Sequence, residues 1–221
     1  MARPSAWPTR PRSASPWNEA PRTVEPPPRR KRKPCMNPST SSSQLPARRV
    51  LLRPVTEDDL PRLAAQAGDL RDRTEFEGSM LRSPQFFKKR FAEDGFSSNE
   101  AERLVICEAE SGEPIGSASH FLAHRYSSAR ELGWKIDDPA RRGQGWGTAA
   151  ARALIDHVFH NFEVHRVCAA LAPGNLASRR VAEKAGLQFE GRLRGVIFIN
   201  GLYLDSEVFG LLRPEWLARR S

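Results

Sequence analysis

The feature that most constrains this chain is the glycine-rich stretch RGQGWGT at Arg142–Thr148, which lies between an apolar run and a helical pattern. Alternating glycines leave backbone N–H groups uncovered, and glycine reaches positive φ, so successive amides can converge on one oxygen. The first amides of a helix have no intrahelical partner and carry the positive end of the helix dipole. The stretch therefore predicts an anion site, most naturally for a phosphate.

The spacing of the glycines limits which class of phosphate-binding loop this stretch can be. A Walker A loop needs Gly-Lys-Ser/Thr, whereas Gly147 and Thr148 are adjacent with no lysine between them. A dinucleotide fingerprint needs G-x-G-x-x-G in the first βαβ unit, but here G-x-G-x-G follows the fourth predicted strand. A pyrophosphate bound by an Arg-x-x-Gly-x-Gly loop remains.

Hydrophobic periodicity and turn signals predict the element order β-α-α-β-β-β-α-β-α-β-β. This order fits neither a doubly wound sheet nor an all-β protein, and it favours a mixed sheet with helices on both faces. Two helices are expected after Thr56 and after Ser83, with charged loops at 69–78 and 93–102, and an Asn200-Gly201 turn joins the last two strands. The other predicted elements are strands over 49–55, 104–109, 114–121, 130–137, 165–171, 187–193 and 202–212, and helices over 149–159 and 175–185.

The first 46 residues differ in composition from the rest of the chain. They hold 11 of the 18 prolines and almost no aliphatic residues, so they cannot bury enough apolar surface to offset their ordering entropy. We expect a disordered basic tail over 1–46 and one folded domain over 47–221. A tail contact with nucleic acid through the basic run at 29–33 stays open, but a merely solvated tail or a translation start at Met36 is favoured over it.

The net charge of +9 belongs to the beginning of the chain. Residues 1–50 contain 11 basic and 2 acidic residues, which leaves 24 of the 35 basic and 24 of the 26 acidic residues for 51–221. The predicted folded domain is therefore balanced in charge and shows no basic binding face, so a nucleic-acid partner is not expected except through the tail.

Cysteine usage and hydropathy bear on the compartment. Cys35, Cys107 and Cys168 are too few and too scattered for a disulfide framework, and the last two sit in apolar runs typical of buried, reduced thiols. No stretch approaches the ~18 apolar residues of a membrane span, and the N-terminus lacks the apolar core of a secretory signal. We expect a cytoplasmic protein without a membrane partner.

The histidines give little indication of a metal. His157 and His160 lie on adjacent helical turns, but no third ligand or carboxylate companion is evident, and His120 and His124 fall in a strand and its exit. No metal site is predicted.

The stretch Arg142-x-x-Gly145-x-Gly147 resembles the Q/R-x-x-G-x-G/A acyl-CoA loop of the GNAT N-acetyltransferase superfamily. Flanking motifs occur in the same order and resemble the RimJ/RimL-type branch, which acetylates protein N-terminal amines and, in relatives, other primary amines. The resemblance covers roughly residues 49–216. The flanking motifs are Leu132-Gly133-Trp134-x-Ile136, Asn175-x-x-Ser178 and Lys184-Ala185-Gly186-Leu187-Gln188-Phe189-Glu190-Gly191.

The resemblance implies a GNAT fold, an α/β (α+β) architecture. Its mixed, mostly antiparallel sheet has six to seven strands, carries helices on both faces and splays between strands 4 and 5. It also implies acetyl-CoA as co-substrate, with the pyrophosphate on the loop and the pantetheine arm in the gap between the two strands. The implied cofactor-binding residues are Trp134, Ile136, Arg141, Arg142, Gly143, Gln144, Gly145, Trp146, Gly147, Thr148 and Asn175.

The catalytic residues are less clear than the loop. Many family members place a tyrosine donor where this chain has Ala182, whereas the RimJ/RimL branch has a serine that Ser178 matches. That branch often uses a glutamate near the position of Ile197, which cannot carry a proton. Glu131 on the fourth strand and Asp205 on the last strand are the remaining candidates, and the general base stays unassigned. Structural roles for Ser178, as a helix N-terminal residue, and for Glu131, as an exposed carboxylate, stay open.

Taken together, these patterns predict an acetyl-CoA-dependent transfer of an acetyl group to a primary amine by direct attack in a ternary complex. The amine is a protein N-terminus or a small molecule. A non-catalytic acyl-CoA-binding module is the alternative, because the usual tyrosine and glutamate are missing. The expected partners are an acyl-CoA and the amine, and a homodimer stays open.

Overall fold

The computed structural model describes residues 48–71, 73–123 and 129–220. The predicted tail over 1–46, including Cys35 and the start at Met36, lies outside these residues, as does His124.

The described chain forms a seven-stranded sheet flanked by helices. Short 3-10 turns at Glu57–Asp59 and Pro139–Arg141 precede α1 and the glycine-rich stretch. None of the helices within the described ranges combines the length and hydrophobicity that crossing a lipid bilayer requires. The strands are β1 (Val50–Pro54), β2 (Ala101–Glu108), β3 (Pro114–Leu122), β4 (Arg130–Ile136), β5 (Arg166–Leu171), β6 (Gln188–Ile199) and β7 (Leu202–Leu212); the helices are α1 (Leu60–Gly68), α2 (Pro84–Asp94), α3 (Trp146–Asn161), α4 (Leu176–Ala185) and α5 (Arg213–Ala218).

The strand order is β1-β2-β3-β4-β5-β7-β6, and every neighbouring pair is antiparallel except β4 and β5. The parallel pair has only two matched positions, Arg130 with Val167 and Glu131 with Cys168. Beyond Glu131 the two strands diverge, while β4 stays paired with β3 as far as Ile136. The mixed sheet with a splay between strands 4 and 5 is thus confirmed.

Alternation along β2 shows how one strand serves two cores. Leu104 and Ile106 pack under α3, whereas Val105 and Cys107 pack against α1 and α2. Successive side chains of a strand point to opposite faces, so helices cover both faces of the sheet, as predicted. Cys107 and Cys168 are buried free thiols.

Some predicted boundaries were wrong. Helix α3 begins at Trp146 rather than Ala149, because the glycine stretch itself supplies its first turn. Strand β6 continues to Ile199, since Asn200 and Gly201 both adopt positive φ (52° and 81°) and form the tight turn that keeps a long hairpin together. Glu102, expected in a loop, lies in β2.

A buried carboxylate fixes the corner between β1 and α1. Arg53 donates to both oxygens of Asp59, at 2.6 and 3.0 Å, and Thr56 donates its N–H and its hydroxyl to the same carboxylate. Burial alone would raise the pKa of Asp59, but these hydrogen bonds outweigh it and lower the pKa to about 2. The sequence pattern of a threonine cap with an acidic residue three positions on is confirmed here.

We predict that Asp59→Asn destabilises the protein at neutral pH by about 2 kcal/mol and removes part of its acid sensitivity. Because folding lowers this pKa from 3.8 to about 2, the ionised Asp59 stabilises the fold fully above pH ~4 and loses this effect as the pH falls toward 2. Urea unfolding at pH 7 and at pH 3 measures the difference. Asp58→Asn, at an exposed neighbour, is the control, and equal effects of both substitutions would contradict the assignment.

Candidate active site

The divergence of β4 from β5 opens a cleft of about 860 Å³. Its walls come from β4, the glycine-rich stretch, one side of α4 and the segment between α1 and α2. Arg142, Arg180 and Lys184 contribute positive charge, and Glu75 and Glu77 of the α1–α2 segment contribute negative charge. Lys135, which pairs with Glu77, also lines the cleft, so basic side chains outnumber acidic ones along its walls.

The glycine-rich stretch has the backbone conformation that its sequence predicts. Gly143 and Gly145 have φ of 74° and 94°, in the left-handed region that favours glycine. Within the described residues, no backbone or side-chain acceptor receives the N–H groups of Gly143, Gln144 or Gly145. Helix α3 starts at the next residue, so its unpaired first-turn amides continue the same row of donors.

From Gly143 to Gly147, residues that line the cleft alternate with residues whose side chains point away from it. Gly143, Gly145 and Gly147 line the cleft, whereas Gln144 and Trp146 do not. Trp146, the first residue of α3, is buried in the hydrophobic core between α3 and the sheet. This alternation explains why the glycines are spaced two apart. Each position that faces the cleft is a glycine and leaves space there, and the side chains between the glycines point away from that space.

The two arginines beside the stretch have different surroundings. Arg142 lines the cleft and donates to the carbonyls of Ile136 and Asp137, which ties the stretch to the end of β4. The guanidinium of Arg141 instead pairs with Glu113 at 2.6 Å and Glu108 at 3.5 Å, on the β2–β3 hairpin. Of the two, only Arg142 is placed where it can contact an anion in the cleft.

Four other predicted residues line the cleft: Trp134, Ile136, Asn175 and Ser178. Asn175 caps α4, its Oδ1 accepting the N–H of Ser178 at 3.0 Å. Neither the Asn175 amide nitrogen nor the Ser178 hydroxyl has a hydrogen-bond partner among the described residues. Both groups therefore remain available to a bound molecule. Thr148, in the first turn of α3, also lines the cleft.

Glu131 sits at the point where β4 and β5 separate, opposite the buried Cys168. Its carboxylate makes no hydrogen bond or ion pair with any other described residue, and burial raises its pKa above the ordinary value. Burial, together with the Glu131 charge, also raises the pKa of Cys168 to about 11, so this thiol stays protonated at neutral pH. An isolated, partly desolvated carboxylate has the properties of a proton acceptor.

Asp205 lies elsewhere. Its Oδ1 accepts the backbone N–H of Gly195 at 3.1 Å, where the β6 register is irregular. Strand alternation places Asp205 on the same face of β7 as Glu207 and Phe209, which pack toward α4 and the core under α3. Glu131 is paired with Cys168, and Cys168 is paired with Gly210, so these three residues share one face of the sheet. Because Gly210 follows Phe209 in β7, this is the opposite face to that of Asp205. Asp205 and Glu131 are thus not brought together.

Two parts of the cleft wall carried no recognisable motif in the sequence. The first is the segment between α1 and α2, where Glu77 pairs with Lys135 of β4 and the Phe76 ring lies beside Gly174. The second is Arg180 on α4, for which the only available signal was its position one helical turn before Lys184 of the flanking motif.

The histidines group differently from the sequence pattern. His157 contacts Glu102 of β2 at 2.6 Å, and His120 contacts the same carboxylate oxygen at 3.0 Å, whereas His160 turns to the carbonyl of Asp156. The expectation that His157 lacks a carboxylate companion was therefore wrong, because β2 and α3 meet only in the folded chain. Hydrogen bonds from the two imidazoles hold the pKa of Glu102 well below its ordinary value.

These three side chains come close enough to hold a metal ion, but their other contacts favour a hydrogen-bonded cluster. Arg130, which can only donate, lies 3.0 Å from Nδ1 of His120, so Nε2 of His120 carries the hydrogen that Glu102 accepts. A metal ligand needs a free lone pair on Nε2. The absence of a metal site stays a prediction.

Comparisons with known proteins agree with this geometry. The acetyltransferase (GNAT) domain family matches residues 49–188. A probable N-acetyltransferase, YjcK of Bacillus subtilis, is 30% identical over 178 residues, which is 77% of this chain and 98% of YjcK. A putative ribosomal N-acetyltransferase of the same organism, YdaF, is 40% identical over 74 residues, or 34% of this chain and 40% of YdaF.

The fold has close counterparts among solved structures. Spermidine N-acetyltransferase from Vibrio cholerae, solved in complex with CoA and spermine, superposes with a TM-score of 0.66 at 21% identity and covers 76% of this chain and 98% of its own. At this identity the likeness concerns the fold alone. The family match, the full-length relative and the splayed sheet agree, and the chain belongs to the GNAT acetyltransferase family.

Proposed function

We propose that this protein is an acetyl-CoA-dependent N-acetyltransferase of the RimJ/RimL-type branch that acetylates a primary amine by direct attack in a ternary complex. The observation that carries the proposal is the cleft at the β4–β5 divergence, with a row of unpaired amides on one wall and the isolated carboxylate of Glu131 where the strands separate.

The residues of the cleft fit the co-substrate. Unpaired N–H groups of Gly143, Gln144 and Gly145, with the side chain of Arg142, suit a pyrophosphate. From Leu132 to Ile136, the edge of β4 that faces β5 has no strand paired with it, while the other edge pairs with β3. Such an open edge suits an extended, hydrogen-bonding arm. Acetyl-CoA, when bound, supplies the acetyl thioester that the amine attacks.

Glu131 would accept the proton that the attacking amine loses, directly or through water. Its raised pKa and lack of a partner support this role over that of a surface carboxylate. Ser178, whose hydroxyl faces the cleft without a partner, would donate a hydrogen bond to the departing thiolate. Asp205, tied to Gly195, would act only by shaping the β6–β7 hairpin.

Direct attack fits the state of Cys168 better than a relay through an acyl-cysteine. The thiolate is the nucleophilic form of cysteine, and a pKa of about 11 leaves very little of it at neutral pH. Positioning the amine against the thioester can itself contribute about 7–11 kcal/mol, so a chain without the usual tyrosine and with Ile197 at a common glutamate position can still catalyse the transfer.

The acceptor amine would enter beside the α1–α2 segment, where Glu75 lines the cleft. A carboxylate here favours an amine that arrives as a cation. The relatives' names include both a ribosomal acceptor and spermidine, so protein N-termini and small amines both remain candidates for this chain. A cytoplasmic location stays part of the proposal, and a homodimer stays a prediction.

The direct test is an acceptor screen with acetyl-CoA, in which a thiol-reactive dye reports CoA release. We expect release above background with at least one primary amine among short N-terminal peptides, polyamines and amino sugars. Stabilisation by acetyl-CoA in a thermal melt without turnover of any amine would instead support the non-catalytic acyl-CoA-binding module.

Gly145→Asp should weaken CoA binding by about 100-fold or more, because it adds a negative charge beside the row of amides that meets the pyrophosphate and strains the positive φ that orients them. Isothermal titration calorimetry with CoA measures the affinity. Gly112→Asp is the control, since Gly112 has a similar φ of 72° in the distant β2–β3 turn and suffers the same backbone cost. Unchanged CoA affinity in the Gly145 variant would refute the assignment of the site.

Glu131→Gln should lower kcat/KM by about 10²–10⁴-fold at neutral pH. Burial raises the pKa of Glu131, so the wild-type rate should rise with pH through a value above the ordinary 4.5 as the carboxylate ionises. The variant should lose this limb of the pH–rate profile, while Glu110→Gln, on the exposed β2–β3 turn, should keep it. A limb that persists in the Glu131 variant would exclude this residue as the base.

A further inference from the structure

Arg48 precedes the first strand, yet its side chain reaches the glycine-rich stretch from behind. Its Nη2 donates to Oε1 of Gln144 at 3.2 Å, across a separation of 96 residues. Its guanidinium carbon lies 4.7 Å from the centre of the Trp146 ring. Its Cγ would lie 3.7 Å from a Cβ added to Gly145. One side chain thus contacts Gln144 and Trp146 and lies beside the glycine between them.

The two residues that Arg48 holds by their side chains are those that point away from the cleft. Gln144 is fixed at both ends, because its Nε2 also donates to the carbonyl of Ala140 at 2.6 Å. Trp146 is buried, and a second arginine, Arg141, has its guanidinium carbon 6.0 Å from the centre of the Trp146 ring. Gly143 and Gly145 flank Gln144 at positive φ and have no side chains with which to hold their own conformation.

We propose that Arg48 is a positioning residue for the acyl-CoA loop, and this inference rests on the proposed function. By holding Gln144 and Trp146 on the inner side, Arg48 keeps the intervening amides turned toward the cleft. A glycine-rich stretch has many accessible conformations, so its donors bind an anion tightly only if another group selects one of them.

The chemistry of the contact requires an arginine. A guanidinium can stack on an indole and donate to an amide oxygen in one fixed geometry, whereas a lysine ammonium is a hydrated point charge. Nε of Arg48 is buried and has no acceptor among the described residues, so the side chain bears a desolvation cost in order to make these contacts.

The test compares full-length Arg48→Met and Arg48→Lys with the wild type. We expect CoA affinity and the KM for acetyl-CoA to worsen by about 10-fold in Arg48→Met, which corresponds to ~1.4 kcal/mol. kcat at saturating acetyl-CoA should change less than about twofold, because the reacting groups are untouched. Arg48→Lys should recover only part of the affinity. Arg49→Met, at an exposed neighbour, should match the wild type.

A double-mutant cycle separates positioning from general destabilisation. Arg48→Met and Gln144→Ala should each weaken CoA binding, and the double variant should be little worse than either single variant. Additive losses, or a fall in kcat with an unchanged KM, would overturn the inference. If Arg48→Met fails to fold, Gln144→Ala alone should still raise the KM about fivefold, and an unchanged KM would overturn it equally.

The failure of this inference can be told apart from the failure of the proposed function. A wild-type protein that does not bind CoA refutes both. A wild-type protein that binds CoA, with an Arg48→Met variant that binds it equally well, refutes only the role of Arg48.

Discussion

The site depends on the loss of pairing between β4 and β5 after Glu131. A continuous sheet would have no room for a ligand between its strands, since neighbouring strands lie only about 4.8 Å apart. Here the same residue ends the pairing and supplies the isolated carboxylate. The cleft, its unpaired strand edge and its candidate base therefore arise from one irregularity in the sheet.

Leaving strand edges unpaired inside a protein is costly, and the surrounding structure holds the divergence open on both sides. On one face, α3 packs its buried residues across β4 and fixes the angle of the strand. On the other face, the α1–α2 segment is tied to β4 through Glu77 and Lys135, and it reaches Gly174 through Phe76. These contacts join the two diverging strands without filling the space between them.

Charge is distributed along the cleft in a way that suits two different reactants. Amides of the glycine stretch, with Arg142, Arg180 and Lys184, form the positively charged side that we propose holds the pyrophosphate. Glu75 contributes negative charge to the cleft itself, whereas Glu131, the proposed base, lies where β4 and β5 separate and is not among the described residues that line the cleft. Residues 51–221 have no net charge in their sequence, so this separation comes from placement rather than composition.

Local pattern in the sequence was sufficient for the order of the strands along the chain, the turn at Asn200 and Gly201, and the positive φ values of the glycine-rich stretch. These features depend on backbone preferences of residues close together in the chain, and such preferences can be read without a structure. Where local patterns compete, the predicted boundaries differ from those in the structure. Helix α3 includes residues of the glycine-rich stretch in its first turn, and β6 continues beyond two irregularities in its register with β7.

Only the tertiary structure decided which side chains meet. Arg48 contacts Gln144 across a separation of 96 residues, and His157 contacts Glu102 across a separation of 55 residues. No local sequence pattern predicts either pair. The isolation of Glu131 is likewise set by strand register and by where the pairing stops. The sequence by itself therefore determined the glycine-rich stretch and the elements around it, whereas packing over long separations determined which side chains contact the stretch and which carboxylate stands alone.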